Sequence, residues 1–306
     1  MTLSLLKIVR PILMSCIALS CAVAPLAISQ DLEPRSFTNV PIGQTFAVLG
    51  YLRSEGELSP TPGALITDAE LTIEAAVIGV AHTFALAGSS AKIDFGATRI
   101  CTEGSATFQG EFIEGRRCGY GDAKMRISWN FYGAPALELK EYSQWEPGLV
   151  VGTSLQLSIP SGTYDSDRLL NAGANRWMVR PGIGLSYKTG RWLYDLIASV
   201  RFYEDNDKFF NGIHVEQDPL YSMQGHLLYT FGRGSWISLN VNFYRGGETS
   251  KDGIKSDDLQ ENSRFGVTYS TPLTAHLNLK LYANTGVVTR IGSDFETAGI
   301  ALQYRF

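Results

Sequence analysis

Charged residues at alternate positions of apolar segments are the part of this 306-residue chain best suited to chemistry. An arginine can hold a carboxylate through two parallel hydrogen bonds, and a passage lined by basic groups favours anions. The same charges could instead pair with one another and close the interior, and the sequence leaves both interpretations open. The candidate pore-lining residues are Lys124, Arg126, Arg180, Asp195, Arg201, Arg264, Lys280, Arg305, Glu74 and Asp94.

Nucleophilic catalysis is the competing chemistry. A lipid-hydrolysing site needs a serine, a histidine base and an orienting polar group held close together. The four histidines are scattered along the chain, at positions 82, 214, 226 and 276, and no Gly-x-Ser-x-Gly elbow is present. We therefore expect no catalytic residues. A triad assembled from distant segments remains an alternative, because spacing alone does not exclude it.

Acidic clusters in predicted loops are the candidates for cation binding. Asp205-Asn206-Asp207 is similar to part of a calcium loop but lacks the remaining ligands and the distal Glu. Solvated loop charge explains such clusters, and their carboxylates could also bridge to lipopolysaccharide through calcium or magnesium. The Gly-rich points have no strand–loop–helix context of the kind that holds phosphates. We expect neither a metal nor a cofactor.

Alternation of apolar and polar residues is the dominant pattern in the sequence. Strands with this pattern would place the candidate pore-lining residues on one face. In the segment 236–244, apolar residues occupy positions 237, 239, 241 and 243, with Ser or Asn between them. A strand points successive side chains to opposite faces, so each such segment has one apolar and one polar face. The pattern predicts twelve strands, near 45–53, 70–84, 91–101, 122–131, 149–159, 177–187, 192–203, 220–231, 236–244, 263–270, 277–289 and 296–306.

The connections and the aromatic residues indicate where the apolar face points. Short turns alternate with long polar loops, as in up-and-down bacterial barrels with periplasmic turns and extracellular loops. The segment 133–147 breaks this rule and is predicted to hold a small helix near 136–142. Aromatic residues lie at strand ends on the apolar face, which is typical of the two membrane interfaces. A soluble β-sandwich, with its apolar face inward, is the alternative.

The ends of the chain favour export to a membrane. Residues 1–29 have a basic start, an apolar stretch and small residues before a cleavage point, as in a signal peptide. A membrane anchor and a lipid-modified Cys21 are the alternatives. The chain finishes on Ile300, Leu302, Tyr304 and Phe306 at alternate positions. Such an aromatic end predicts recognition by the barrel assembly machinery.

Charge and cysteine content restrict the remaining classes. Beyond the signal, 24 basic residues stand against 30 acidic ones, a net charge of −6, which argues against nucleic acid as a partner. Cys101 and Cys118 remain after Cys16 and Cys21 leave with the signal. A disulfide is expected in an exported protein, whereas a metal site would need further ligands that are not close in sequence.

Several stretches resemble a family of outer-membrane transporters named for the meta-cleavage pathway of phenol degradation. They include Leu32-Glu33-Pro34-Arg35-Ser36-Phe37-Thr38-Asn39-Val40-Pro41-Ile42-Gly43, Gly173-Ala174-Asn175-Arg176-Trp177, Gln217-Asp218-Pro219-Leu220-Tyr221-Ser222 and Gln303-Tyr304-Arg305-Phe306. The stretches occur in order over nearly the whole exported chain. The resemblance implies a barrel with a transport role. It supplies no catalytic residues and does not define a substrate.

Together these features predict an all-β protein: a signal peptide (1–29) and one antiparallel transmembrane β-barrel (30–306) of about twelve strands in the outer membrane. The expected function is passive diffusion of small organic molecules, aromatic or anionic, through a narrow polar lumen. An outer-membrane enzyme acting on lipids and a structural or adhesion barrel are the alternatives. Expected partners are outer-membrane lipid and lipopolysaccharide, a small organic solute and the assembly machinery, with the chain as a monomer.

Overall fold

A computed structural model describes residues 32–59, 66–108, 111–168, 170–290 and 292–306. The predicted signal peptide therefore lies outside the described residues. The strands are β1 (Thr45–Ser59), β2 (Ile66–Leu86), β3 (Ser89–Phe108), β4 (Glu111–Tyr120), β5 (Ala123–Tyr132), β6 (Leu149–Ile159), β7 (Met178–Thr189), β8 (Trp192–Tyr203), β9 (Asn206–Phe209), β10 (Ile213–Gln217), β11 (Leu220–Thr230), β12 (Trp236–Gly246), β13 (Thr249–Lys251), β14 (Ile254–Lys255), β15 (Gln260–Pro272), β16 (Leu277–Thr289) and β17 (Gly292–Arg305). One short helix, α1, spans Leu139–Tyr142.

The main sheet closes on itself as a twelve-stranded antiparallel barrel. Each strand pairs with its neighbours in the chain, β4 and β5 pair with successive parts of β3, and β1 pairs with both β2 and β17. Closure gives every strand of the barrel two partners except β4, which pairs only with the part of β3 beyond β5, so the membrane-spanning part of the sheet has no open edge of backbone N–H and C=O groups. The predicted fold class and strand number are confirmed.

Burial in the barrel is the reverse of burial in a soluble protein. Leu49, Ile78 and Phe243 point outward and are 58–59% exposed, whereas the inward-facing Asn240 and Asn242 are 1% exposed. Such an outer surface requires an apolar solvent, because exposing it to water would forgo the hydrophobic effect that stabilises soluble proteins. This excludes the soluble sandwich. No helix in the described part of the chain is long and apolar enough to cross a membrane.

The two ends of the barrel differ in their connections. At one end, the turn end, short turns join the strands, and the chain terminus meets β1 through the N–H of Phe306 and the carbonyl of Thr45 (3.0 Å). Aromatic rings contact one another there, for example Trp192 with Tyr229 at 4.9 Å between centroids. The exception at this end is the connection 133–148, which contains α1. The predicted helix is confirmed and is shorter than expected.

The opposite end, the loop end, is more ordered than the sequence suggested. The region 102–121 was predicted as a loop, but β3 and β4 continue through it as a hairpin. Its strands are joined by the expected disulfide between Cys101 and Cys118, which are directly paired residues. Strands β9, β10, β13 and β14 form a second, four-stranded sheet, the outer sheet, above the barrel.

Residues 32–43 lie inside the barrel, ahead of β1, and are named here the lumenal segment. Their contacts run from Gly266 on β15, near the side chain of Leu32, down to the turn end. There Ile42 donates its N–H to Leu137 (2.9 Å), and the Tyr142 hydroxyl of α1 donates to the carbonyl of Asn39 (2.9 Å). The long connection at the turn end therefore binds the C-terminal part of the lumenal segment.

Candidate functional site

The lumenal segment is fixed to the barrel wall mainly by Glu33. Its carboxylate pairs with Arg126 of β5 and with Arg180 of β7, the latter at 2.8 Å. Arg126 also contacts Asp94 of β3 (3.2 Å), and Arg180 donates to Gln156 of β6 (2.9 Å). Because charge-assisted hydrogen bonds are strong where water is excluded, this network anchors the segment across four strands.

Arg35 makes the second attachment through its backbone and its side chain. Its N–H donates to the Asp195 carboxylate on β8 (2.8 Å), and its guanidinium lies 5.7 Å from the ring centre of Trp236 on β12. The residue has φ 68°, in the left-handed region that non-glycine residues rarely adopt. The tight turn in the segment is thus held by contacts to the wall rather than by local preference.

Phe37 makes the third attachment by packing onto two glycines. Gly152 of β6 and Gly184 of β7 are directly paired, and both face the lumen. A Cβ atom at Gly152 or Gly184 would lie 2.5 Å or 2.3 Å from the Phe37 ring, so any larger residue would collide with it. The ring is 3% exposed. Glycine at these positions therefore permits close approach of the segment to the wall.

Apart from the ion pair of Glu33 with Arg126 on β5, the three attachments lie on the same half of the lumen, which we name the polar wall. Most of its inward residues are polar or charged, apart from a small apolar cluster of Leu193, Leu228 and Trp236, and they come from strands β6 to β15. Hydrogen bonds between them, such as Ser222 to Asn242 (2.8 Å) and Asn240 to Thr268 (3.1 Å), link adjacent strands. The members are Gln156, Arg180, Asp195, Gln224, His226, Asn240, Asn242, Arg264 and Thr268.

The other half of the lumen, on β1 and β2, carries small and apolar inward residues. This small-residue wall consists of Val48, Gly50, Val77, Gly79 and Ala81. A cavity of about 780 Å³ separates it from the lumenal segment. The cavity is mixed in chemistry, because Lys92, Lys124 and Lys280 also line it. The lumen therefore contains a gap that is apolar on one side and polar on the other.

The loop end of the gap is narrowed by apolar packing. The inward residues Leu52, Ile73 and Phe295 belong to a buried cluster, and Leu170 and Ala172 pack against it. The last two come from the connection between β6 and β7, residues 160–177, named here the mouth loop. Connections at the mouth of a barrel often shape access to its lumen.

The mouth loop is held by polar contacts at several points. Both carboxylate oxygens of Asp122 accept backbone N–H groups, from Gly162 (2.9 Å) and Ala174 (2.8 Å). Asp165 lies 3.5 Å from Arg117 of β4, which ties the loop to the disulfide-bonded hairpin. The pKa of Asp165 is lowered by the Asp167 N–H that it accepts, and also by Arg117 and Arg168. The loop is therefore a fixed part of the mouth.

Arg176, at the end of the mouth loop, lines the cavity and was not among the predicted site residues. It is 3% exposed, and its guanidinium lies 4.6 Å from the ring centre of Tyr203. Its Nη2 donates to the Gln217 side chain. It was missed because it belongs to no strand and so falls outside the alternation used to choose lumenal residues. Its presence in a family-like motif beside Trp177 was the available signal.

The predicted pore-lining residues occupy three kinds of position. Lys124, Arg126, Asp94, Arg264 and Lys280 line the cavity, and Arg180, Asp195 and Arg201 are buried on the inward face. Arg305 lies at the turn end, where it donates to the Ala275 carbonyl (3.0 Å). Several of the inward charges are occupied by ion pairs, so the lumen is less positive than the sequence suggested.

Glu74 is a correction to the predicted lumenal set. It points away from the lumen, between the inward-facing Ile73 and Ala75, and lies 3.6 Å from Arg53. Strand β2 has apolar residues on both faces, so alternation could not show which face is inward. Glu74 therefore belongs to the outer surface near the loop end and not to the passage.

One cluster in the outer sheet could hold a divalent cation. The ligand atoms of Asp205, His214 and Glu216 lie within 4.8 Å of one another. The Asp207 carboxylate accepts a hydrogen bond from Nδ1 of His214 (2.6 Å), and this contact raises the pKa of the histidine. The sequence predicted solvated loop charge here, and the exposed carboxylates are consistent with it. The cluster lies outside the lumen.

Comparison with known proteins adds the family and the fold class. The sequence profile of a family described as "Putative MetA-pathway of phenol degradation" matches residues 56–306. No curated protein sequence matches the chain significantly.

Solved structures of outer-membrane proteins resemble the barrel. The COG4313 outer membrane channel from Pseudomonas putida F1 has a TM-score of 0.72 at 22% identity, covering 90% of this chain and 100% of that one. The transport unit of the autotransporter AIDA-I from Escherichia coli has a TM-score of 0.53 at 10% identity, covering 92% and 95%. The translocator domain of NalP from Neisseria meningitidis has 0.51 at 10% identity, covering 98% of each. These likenesses show an outer-membrane barrel fold.

Proposed function

The chain belongs to the MetA-pathway family of phenol degradation, and from this premise we propose that it is an outer-membrane channel for passive diffusion of small organic molecules. The observation that carries the proposal is the cavity of about 780 Å³ between the lumenal segment and the small-residue wall. A space of this size accommodates one small molecule and lies in the range of ordinary ligand sites.

The chemistry of the gap supports an organic solute in preference to a sugar or a hydrated ion. Val48, Val77 and Ala81 offer apolar contact but no hydrogen bonds, whereas the rest of the lining offers lysines and the polar lumenal segment. A polyol that entered would lose water on the apolar side without replacing its hydrogen bonds, which is costly. A molecule with an apolar body and one polar group matches both sides.

The ion-pair network supports a narrow passage in preference to a wide pore. Glu33 forms ion pairs with both Arg126 and Arg180, so these charges serve to hold the lumenal segment. Twelve strands enclose a bore between that of filled eight-stranded barrels and that of open sixteen-stranded channels, and the segment reduces it further. Passive movement down a gradient through such a gap requires no cofactor.

Several features of the proposal concern the whole protein in the cell. We propose that residues 1–29 are removed as a signal peptide and that the terminal strand, ending at Phe306, is read by the barrel assembly machinery. The chain then acts as a monomer, surrounded by outer-membrane lipid and lipopolysaccharide. It carries out no catalysis, and a lipid-hydrolysis assay of purified protein is expected to show no activity above that of buffer.

Single-channel recording of purified protein in a planar bilayer tests the function. Discrete openings are expected in potassium chloride, with brief interruptions when benzamide is added. Glucose is the control, because it is similar in size but carries hydroxyls on every side. An absence of openings across several salts, or equal interruption by both solutes, would contradict the proposal. Binding to cells or surfaces without any conductance would favour an adhesion barrel instead.

A further inference from the structure

Arg176 has an unmet hydrogen-bonding capacity at the loop end of the cavity. Its Nη1 is buried and has no hydrogen-bond partner in the described part of the chain, although Nη2 donates to Gln217. Nearly all buried donors in native proteins are paired, and a buried charged donor without an acceptor costs more than a neutral one. The missing partner is therefore an acceptor that the described part of the chain does not supply.

The neighbouring acidic residues do not fill this role. Asp122 already accepts two backbone N–H groups, and Asp205 is exposed at the surface. Burial lowers the pKa of Arg176, and Tyr203 and Asp205 raise it in part. An arginine remains charged despite such a shift. The mouth therefore contains a buried positive charge that its surroundings compensate incompletely.

The guanidinium is held in place before any ligand arrives. Tyr203 lies against it, and the adjacent Asn175 donates to the Asn206 side chain (3.0 Å). Asn206 is itself buried and donates to the carbonyl of Ala174 (3.3 Å), so the chain on the N-terminal side of Arg176 is fixed to β9. Preorganised donors bind tightly because little conformational entropy is lost when the ligand binds.

From these contacts we propose that Arg176 forms a binding subsite for the carboxylate of a small organic anion. The apolar body of that anion lies in the cavity, where Tyr203 and Leu220 provide contact surface beside the arginine. The inference rests on the proposed channel function and adds a substrate class to it: solutes that pair a carboxylate with an apolar or aromatic group. A carboxylate suits a guanidinium because it can accept two parallel hydrogen bonds.

Interruption of single-channel current by benzoate and by benzamide tests the subsite. The two probes have the same ring and nearly the same size but differ in charge at neutral pH. In the unmodified protein, benzoate is expected to bind more tightly than benzamide. Arg176→Gln is expected to weaken benzoate about tenfold, the scale of one charge-assisted hydrogen bond, and to leave benzamide unchanged.

Two further variants make the result specific. Arg168→Gln is the matched control, because Arg168 lies in the same mouth loop but its side chain is exposed and pairs with Asp165 (3.3 Å). It is expected to leave both probes unaffected. Arg176→Lys keeps the charge but not the planar pair of donors, and an intermediate benzoate affinity is expected. Retention of the compact, heat-sensitive form on a detergent gel shows that each variant has folded.

The possible failures are distinguishable. If the unmodified protein binds both probes equally and Arg176→Gln changes neither, the subsite is refuted and the channel function stands. If the unmodified protein shows no discrete openings in potassium chloride, the channel function fails and the subsite with it. If Arg176→Gln and Arg168→Gln weaken benzoate to the same extent, loop charge in general is responsible and the assignment to Arg176 is wrong.

Discussion

The two halves of the lumen are built from the same sheet but have opposite chemistry. On the polar wall, Arg180, Asp195 and Gln224 reach toward the axis and bind the lumenal segment. On the small-residue wall, Gly50 and Gly79 leave space, and nothing from the segment replaces it. The asymmetry shows that a barrel can be occluded on one side and open on the other without any change in strand number.

The comparison also explains why the segment stays on one side. Hydrogen-bond acceptors and charges on the polar wall match Glu33 and Arg35, whereas the small-residue wall could offer them only apolar surface. Burying Glu33 against Val77 would leave its carboxylate without donors. The position of the segment is therefore set by polar satisfaction, and the gap is what remains.

Replacing residues 32–37 with a Gly-Ser sequence of equal length should have the largest effect. All three attachments disappear, and the polar wall is uncovered. Single-channel conductance is expected to rise roughly threefold or more, because the lumen then approaches the full bore of twelve strands. The same replacement at residues 252–257 in the outer sheet is the control. Unchanged conductance after the first replacement would show that the segment does not limit the passage.

Glu33→Gln should have the next largest effect. The substitution leaves Arg126 and Arg180 buried without their shared carboxylate, which costs about 3 kcal/mol when one partner of a buried pair is removed. Current noise should increase as the segment detaches, and reversal potentials in a salt gradient should shift toward anion preference. Glu55→Gln, in an exposed ion pair with Arg53, should change neither quantity. A shift toward cations would contradict the network.

Gly184→Val tests the apolar attachment alone. The added Cβ would meet the Phe37 ring, and overpacking of this kind costs about 1–3 kcal/mol. The segment should detach part of the time, giving a second, higher conductance level that is visited only briefly. Gly148→Val is the control, because a Cβ at Gly148 meets no atom within 4 Å. A single conductance level in Gly184→Val would show that Phe37 adapts without leaving the wall.

Val77→Phe should have the smallest effect, and it tests whether the passage runs beside the small-residue wall. A larger side chain there would fill part of the gap and lower conductance by about half, without touching any attachment of the segment. Interruption by benzamide should become rarer. Val241→Phe makes the same change on the lipid-facing side of β12 and should leave both measurements unaltered. Equal effects of the two variants would place the passage elsewhere.

The sequence predicted the barrel well because the alternation of apolar and polar residues follows from the two environments of each strand, the lipid outside and the polar lumen inside. Strand β12 is an example: its outward Ile237, Leu239 and Val241 face an apolar solvent, whereas its inward residues are buried in the lumen. The disulfide and the family were also predicted correctly. The signal peptide and the monomeric state remain predictions.

The lumenal segment could not be predicted because its contacts are set by distant strands. Glu33 and Phe37 belong to a stretch with no periodicity, and their partners lie more than ninety residues away. One signal existed: Gly152 and Gly184 lie within strands, and glycine within a strand often marks close approach of another chain segment. The region 102–121 was mistaken for a loop because, above the membrane, a hairpin needs no apolar face.

The one-sided lining of the gap has a consequence for how a solute is dehydrated. A molecule that crosses beside Val48 and Val77 gives up its hydration shell on that flank only, while its other flank exchanges water for lysine and backbone groups. The transfer cost then depends on how polarity is distributed over the molecule rather than on its total polarity. Flat amphiphiles cross more easily than isotropic solutes of the same volume, so orientation becomes part of selectivity.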